Sequence, residues 1–196
     1  MAEISVEQIK KLKELSGAGL TDAKKALVEA DGDFDKALEA MRKKGLTKAE
    51  KRGDRETREG LVEAYIHDGR LGAIVEVNCE TSFVAKTDEF KTLAHQIAMQ
   101  IASMAPLYVS ENDIPDEVRE AKMKELEENF KGPENMKEQI LSGQAKKAFA
   151  DKVLMNQPYI LDDTKTVEQF IKEAIAKTGE NITVRQFKRI ELGVTE

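Results

Sequence analysis

The sequence has few of the residues on which disulfides and metal sites depend: among 196 residues there are one cysteine, two histidines and no tryptophan. A single cysteine excludes a disulfide within the chain. One cysteine and two histidines also fall short of the four ligands of the usual structural zinc sites. We therefore expect a protein that binds no metal, and we assign it to a reducing compartment, the cytoplasm.

Long apolar runs and an excess of positive charge are also missing. No apolar stretch approaches the roughly 20 residues that a transmembrane helix needs, and the N-terminus is acidic and amphipathic, unlike a secretory signal. The net charge of −6 disfavours non-specific binding to nucleic acid, because no bulk positive field is present to displace phosphate counterions. These features predict a soluble globular protein that contacts neither membrane nor nucleic acid directly.

The residue patterns of common catalytic and phosphate-binding sites are absent as well. The glycine-rich stretch Gly17 to Gly19 is predicted to end a helix by adopting a positive φ, and it does not follow a strand as a phosphate-binding loop would. Cys79 is typical of a small buried hydrophobic residue, since neither histidine is placed to activate it. We expect His67, beside a turn, and His95, beside an apolar helical stripe, to be structural. The sequence thus predicts a binding protein that needs no cofactor, not an enzyme.

Residues 1–45 show the pattern of three short helices. Ser5 is placed to cap the first helix, and Gln8 completes a capping box. The third helix is predicted to begin after Asp33 and to end before Gly45. Three such helices bury a very small core. A domain of this size more often presents a binding surface than houses a reaction.

Residues 42–58 form a basic segment, with eight lysines and arginines against three acidic residues. Contact with a nucleic acid is one interpretation of such a charge cluster. A solvated linker is the better one, because no aromatic side chain is interleaved for base stacking. We therefore predict a basic linker at 46–59.

The remaining chain has the pattern of an α+β domain. The run L-V-E-A-Y-I-H alternates from Leu61, Asp68-Gly69 forms a two-residue turn, and R-L-G-A-I-V-E-V-N returns, which predicts a β-hairpin. An apolar stripe predicts a long helix from Asp88 to Met104. Two further helices are predicted, one from Asp116 and one from Gly132-Pro133, as a partly exposed hairpin.

The last third of the chain predicts one more helix and one more strand. Pro158 to Ile160 is extended, and Asp162-Asp163 is predicted to be a turn. A helix follows Thr166 and ends at Gly179. The strand I-T-V-R-Q-F-K-R-I-E-L can then join the hairpin. The predicted fold is a small antiparallel sheet packed against helices.

The junction between hairpin and long helix reads N-C-E-T-S-F-V-A-K-T-D-E-F over residues 78–90. Phe83 lies in it, where the fold has little need for a large apolar side chain. Such a residue usually folds back into the core. The alternative is that Phe83 projects from a rigid strand-to-helix corner and enters a partner.

Three stretches together resemble the elongation factor Ts family. They are M-A-E-I-S-V-E-Q-I-K-K-L-K-E-L-S-G-A-G-L-T-D-A-K-K-A-L-V-E-A-D-G-D at the N-terminus, V-E-V-N-C-E-T-S-F-V-A-K in the centre, and G-E-N-I-T-V-R-Q-F-K-R-I-E-L-G near the end. The resemblance covers essentially the whole chain, in order, and is to the short form of the family. It implies domains at 1–45 (partner docking, three helices, similar to ubiquitin-associated domains), 46–59 (linker) and 60–196 (exchange and dimerisation).

The resemblance implies a guanine-nucleotide exchange factor for the GTPase elongation factor Tu. Its N-terminal domain would dock on the GTPase domain, and the aromatic residue of the family's T-D-F-V signature would enter the partner near the bound magnesium. Carried over by position, the partner-binding residues are Lys13, Leu20, Thr21, Thr81, Ser82, Phe83 and Val84.

The signature departs from the family at Ser82, where the family has Asp. A carboxylate there can repel nearby phosphates or compete for groups around the magnesium, so we expect slower exchange than in a Ser82→Asp variant. The short form also implies a non-covalent homodimer, in which the second copy stands in for a subdomain that the long form carries. An adaptor module that binds partners without stimulating exchange is the alternative function.

Overall fold

The computed structural model describes residues 4–16, 18–133 and 136–194, without the side chains of residues 46–48 and 50. The chain divides into two compact units. Unit 1 comprises residues 1–62, 76–94 and 169–184, and unit 2 comprises residues 63–75, 95–168 and 185–196. The predicted domains at 1–45, 46–59 and 60–196 are continuous stretches of the chain, whereas each unit combines three separate stretches, so the units do not test the predicted domains. The observed mixture of helices with a small antiparallel sheet confirms the α+β class.

Unit 1 begins with three helices, α1 (Val6–Ser16), α2 (Leu20–Glu29) and α3 (Phe34–Glu50). The predicted capping box is present: the Ser5 amide donates to Gln8 Oε1 at 3.0 Å, and the Gln8 amide donates to Ser5 Oγ at 3.1 Å. Asp33 caps α3 by accepting the Lys36 amide at 3.1 Å. The helices enclose a small core of Ile9, Leu12, Ala23, Ala26, Leu27, Ala37 and Met41.

Two details of these helices were predicted wrongly. The third helix does not end at Gly45 but continues to Glu50. A Cβ at position 45 would lie 3.2 Å from the Cβ of Ala176, so the glycine lets α3 approach a later helix closely and the contact outweighs its poor helix propensity. Gly19 is the N-cap of α2 with a φ of −68°, not a residue of positive φ. Gly17 lies outside the described residues.

The sheet has the order β1-β2-β5, from β1 (Glu59–His67), β2 (Leu71–Cys79) and β5 (Ile182–Glu191). Asp68 and Gly69 form the predicted turn between β1 and β2, with φ values of 49° and 65°. In unit 2 the Leu192 amide, just past β5, donates to Arg70 O just before β2, which fits antiparallel strands.

A short helix α4 (Ser82–Ala85) and the long helix α5 (Asp88–Met104) follow β2, and α5 has the predicted bounds. Its buried stripe consists of Phe90, Leu93, Ala94, Ile97, Ala98, Ile101 and Ala102. In unit 2, α5 lies against one face of the sheet: His95 Nδ1 is 3.0 Å from Glu63 Oε1, and Arg189 Nε donates to Ala102 O at 2.9 Å. Both contacts involve odd-numbered strand residues, so the even-numbered residues of these strands face away from α5.

The rest of unit 2 holds α6 (Asp116–Glu128), α7 (Lys137–Ala150) and a small hairpin of β3 (Pro158–Tyr159) and β4 (Asp162–Thr166). The helix predicted from Gly132-Pro133 thus begins at Lys137; residues 134 and 135 lie outside the described part. The predicted turn at Asp162-Asp163 is wrong, because the turn falls at residues 160–161 and the two aspartates start β4. The buried Gln100 fixes the position of the turn, since its Oε1 accepts a hydrogen bond from the Ile160 amide at 2.8 Å.

Helix α8 (Val167–Thr178) starts at the predicted residue and ends as predicted, at Gly179 with a φ of +78°. Strand β5 follows at once. Among the residues that the structure describes, no helix is long and apolar enough to cross a membrane.

Gly60 in β1 offers a test of how closely the strands of unit 1 approach. Its φ is +151°, and a Cβ there would lie 2.2 Å from the carbonyl oxygen of Val77 in β2. We expect Gly60→Ala to lower the free energy of unfolding by well over the ~1 kcal/mol that such exchanges usually change. Urea unfolding measures this. Gly72→Ala, on the neighbouring strand, is the matched control. A Cβ there would lie 3.9 Å from its nearest atom, so this variant should have little effect. Equal stability of the two variants would contradict the prediction.

Candidate partner-binding site

The corner between β2 and α5 consists of two capped helix starts within ten residues. Thr81 is the N-cap of α4, and its Oγ1 accepts the Val84 amide at 3.4 Å. Thr87 precedes α5, where its Oγ1 accepts the Phe90 amide at 3.3 Å and donates to Val84 O at 2.8 Å. Caps of this kind satisfy the free amides of a helix start and fix its direction.

Phe83 is 79% exposed at this corner. Its neighbours Val84 and Ala85 are buried, and so is Phe90 in the first turn of α5. The corner therefore packs through these residues and leaves the ring of Phe83 in solvent. Of the two predicted alternatives, the structure has the projecting side chain and not the one folded back into the core.

Glu180, in the turn between α8 and β5, binds the corner from the side. Its carboxylate accepts the Thr81 amide at 3.0 Å and the Thr81 hydroxyl at 2.6 Å. A second glutamate makes the reverse contact: Glu80 accepts the Asn181 amide at 2.6 Å. We call these two contacts the glutamate clamp. Hydrogen bonds to a carboxylate are shorter and stronger than those between neutral groups.

Asn181 extends the clamp to the segment that follows α3. Its side chain is 2% exposed and donates to the carbonyl oxygens of Gly53 at 3.1 Å and Arg55 at 2.8 Å. Arg55 also lies 3.4 Å from Glu80. Two residues later, the hydroxyls of Thr57 and Thr183 are hydrogen-bonded at 2.8 Å. This part of the predicted basic linker is thus attached to the start of β5.

Cys79 lies beneath the corner and is fully buried, as predicted. Its thiol donates to Thr81 O at 3.2 Å. Burial raises the pKa of the Cys79 thiol, and the negative charge of Glu180 raises it further. The group is therefore a protonated thiol at neutral pH and not a nucleophile.

The other predicted partner-binding residues lie on the first two helices of unit 1. Lys13 is exposed near the end of α1, and Leu20 and Thr21 are exposed in the first turn of α2. Leu20 is 54% exposed, which makes it an apolar contact that the fold does not use. The predicted residues thus form two groups, one on α1 and α2 and one at the corner.

Within the corner group the four predicted residues differ in accessibility. Thr81, Ser82 and Phe83 are exposed, whereas Val84 is 6% exposed. Val84 was predicted to bind the partner with the others, and this stays a prediction; in this structure its side chain packs inward and supports the corner.

Sequence reasoning missed the residues that hold the corner, namely Glu80, Glu180 and Asn181. Each glutamate is about 100 positions from its partner residue, so no local spacing connects them. The sequence marks these three residues in one way: all of them lie inside the stretches that resemble the elongation factor Ts family. In the described part of the chain, no three His, Cys, Asp or Glu side chains are grouped so that they could hold a metal ion.

Comparison with known proteins gives one consistent result over the whole chain. The family model described as "Elongation factor TS" matches residues 4–194. Elongation factor Ts of Thermotoga maritima is 52% identical over 193 residues, which cover 97% of both chains. Elongation factor Ts of Moorella thermoacetica is 49% identical over 195 residues, 97% of this chain and 96% of that one. Elongation factor Ts of Rippkaea orientalis is 51% identical over 199 residues, 98% of this chain and 80% of that longer one.

Proposed function

The chain belongs to the elongation factor Ts family of translation elongation factors, and on that premise we propose that it binds elongation factor Tu and promotes the release of GDP. It acts in the cytoplasm, by binding and not by covalent chemistry. The observation that carries the proposal is the 79% exposure of Phe83 on a capped and clamped corner. A large aromatic side chain that contributes nothing to its own fold is typical of an anchor for a partner.

Phe83 acts as an apolar wedge beside the magnesium and phosphates of the partner. Its ring displaces groups that hold the ion and the nucleotide, so the factor binds best to the nucleotide-free state. Linkage makes this effect reciprocal, since factor and GDP must weaken each other's binding by the same ratio. Couplings of this kind are typically about 1–3 kcal/mol, so an efficient exchange factor needs contacts besides one wedge.

The N-terminal helices supply those further contacts. Leu20 and Thr21, with Lys13 nearby, present an exposed edge with an apolar centre for docking on the GTPase domain. The three-helix arrangement is similar to that of ubiquitin-associated domains, whose role is also to bind partners. Docking brings the factor to the GTPase, and the wedge then changes the affinity for the nucleotide.

Release of fluorescent GDP from elongation factor Tu tests the function. We expect acceleration that rises with the concentration of this protein and falls by roughly 30-fold or more in Phe83→Ala, because truncating an aromatic anchor commonly costs about 2 kcal/mol or more. Leu107→Ala, which removes another exposed apolar side chain, is the control and should leave the acceleration unchanged.

The outcomes separate the two functions considered. A stable complex without acceleration would favour the adaptor function over exchange. Acceleration that survives in Phe83→Ala would remove the wedge from the mechanism while leaving the activity in place. The absence of any complex would contradict the proposal as a whole.

Ser82 is the exposed first residue of α4, beside the wedge. We expect Ser82→Asp to accelerate GDP release beyond the natural protein, because a carboxylate there repels the phosphates and competes for groups around the magnesium. An acidic residue in the first turn of a helix is also compatible with folding. Ser82→Asn has a similar shape without the charge and should stay slow. Equal or faster exchange by the natural protein would contradict this prediction.

A homodimer is the second part of the proposal, and the outer face of the sheet in unit 2 supports it. The even-numbered strand residues face away from α5, and they include Ile66, Ile74 and Ile190, which are 70%, 47% and 75% exposed. An apolar face of this kind marks an interaction surface. A second copy is the occupant that we propose, because a two-fold axis sets the same patch against itself and needs no other complementary partner.

Sedimentation at working concentration tests the dimer. We expect the mass of two chains for the natural protein and of one chain for Ile190→Glu, since a carboxylate in an apolar interface loses its water without gaining a partner. Val28→Glu places the same charge at another exposed aliphatic position, on α2 in unit 1, and should stay dimeric. A monomeric mass for the natural protein would contradict the prediction.

A further inference from the structure

We propose that Glu180 is a positioning residue for nucleotide exchange: through the glutamate clamp it holds the corner so that Phe83 projects in the orientation that enters the GTPase. This inference rests on the proposed function and adds a residue, far along the chain, on which that function depends. Glu180 does not itself need to touch the partner, because it acts on Phe83 through Thr81.

The contacts of Glu180 suit this role because both of them fall on a single residue of the corner. The amide and the hydroxyl of Thr81 donate to the two oxygens of one carboxylate, at 3.0 and 2.6 Å. Two bonds to one residue fix a direction as well as a position. Thr81 Oγ1 is at the same time the cap of α4, so Glu180 orients the hydroxyl that starts the helix bearing Phe83.

Glu180 is itself held in place by the turn that carries it. Its amide donates to Thr178 Oγ1 at 3.3 Å, and Thr178 Oγ1 donates to Ala174 O at 2.9 Å inside α8. Gly179 provides the positive φ that turns the chain after the helix. The carboxylate therefore starts from the end of a packed helix and not from a loose loop.

The reverse contact of the clamp connects the wedge with the docking helices. Glu80 accepts the Asn181 amide, and the Asn181 side chain binds the carbonyl oxygens of Gly53 and Arg55, a few residues after α3. The corner, the turn after α8 and the chain leaving the three-helix region are thus joined by hydrogen bonds within unit 1. Docking through α2 then also sets where Phe83 points.

A positioning role predicts that the maximal rate of GDP release changes while the half-maximal concentration of factor does not. Glu180→Ala removes both bonds to Thr81 but no exposed docking side chain. We expect the maximal rate of GDP release to fall about tenfold or more, since misplacing an interacting group by about 1 Å can cost a hundredfold. The concentration of factor that gives half of this rate should stay within about twofold, because α1 and α2 are unchanged. A purely structural role would instead lower the amount of folded protein, which raises the apparent half-maximal concentration and leaves the maximal rate unchanged.

Two matched variants serve as controls for Glu180→Ala. Glu180→Gln has no charge but can still accept the Thr81 amide and donate to its hydroxyl, so it should restore most of the rate. Asp163→Ala removes an exposed carboxylate from β4, which carries none of the docking residues, and should change nothing. If Glu180→Ala fails to fold, Glu180→Asp, which keeps the charge but is one methylene shorter and so reaches Thr81 less well, replaces it in the comparison with Glu180→Gln.

Cys79 gives a readout of the corner that is independent of exchange activity. It is the single cysteine, is buried, and lies 3.2 Å from Thr81 O, so a thiol reagent reaches it only when the corner opens. We expect labelling of the natural protein to be slow and that of Glu180→Ala to be several times faster, at an unchanged melting temperature. Glu180→Gln isolates the effect of charge on the pKa of the thiol, and its labelling should stay close to that of the natural protein.

The two readouts distinguish failure of the inference from failure of the proposed function. Unchanged exchange and unchanged labelling in Glu180→Ala would overturn the positioning role. Equal labelling of Glu180→Ala and Glu180→Gln would also overturn it, because the effect would then come from the lost charge. If the natural protein does not accelerate GDP release at all, the proposed function fails and the positioning role for exchange fails with it. In that case the labelling still reports whether Glu180 holds the corner.

Discussion

The site depends on hydrogen bonds that two glutamates make between the corner and the turn after α8. Glu80, beside the corner, accepts a hydrogen bond from the Asn181 amide. Glu180, beside Asn181, accepts hydrogen bonds from both the amide and the hydroxyl of Thr81. The partners are about 100 residues apart, so closing so long a loop for the clamp alone costs about as much chain entropy as three hydrogen bonds recover. The surrounding helices and strands must already be packed before the clamp forms. The clamp is therefore a product of the fold that orients the corner, and not a source of the fold's stability.

Such a constraint makes an exposed aromatic ring compatible with a stable corner. Burying a phenylalanine side chain stabilises a protein by about 1.5–3 kcal/mol, and the chain forgoes this at Phe83. A helix of four residues has too few hydrogen bonds to hold its own direction. Without the caps of Thr81 and Thr87 and the buried Val84 beneath them, the ring could fold back over nearby apolar surface. The local structure thus holds the ring in the solvent-exposed position that an anchor for a partner requires.

Sequence reasoning was reliable where the signal is local and failed where a distant residue decides. The stripe of α5, the Asp68-Gly69 turn and the Ser5 capping box each follow from neighbouring residues, and each was predicted. The local pattern predicts a helix end at Gly45, because the reason why the helix tolerates this glycine, close contact with Ala176, lies far along the chain. The turn at 160–161 is set by Gln100, and the corner by Glu180, for which no spacing rule exists. For Phe83 the sequence left two alternatives, because exposure of a side chain is a property of the packed unit.

In the proposed mechanism, the arrangement of docking edge and wedge in one unit bears on how an exchange factor uses its binding energy. A flexible link between Leu20 on α2 and Phe83 on α4 would raise only the local concentration of the wedge near its target. A link made of hydrogen bonds, from the segment after α3 through Asn181 to the corner, also fixes the orientation of the wedge. Binding energy gained at a remote edge can then hold Phe83 in a place where the GTPase, with its nucleotide bound, would otherwise exclude it. In this proposal, exchange therefore depends on how rigidly the docking edge and the wedge are joined, and not on the affinity of either contact alone.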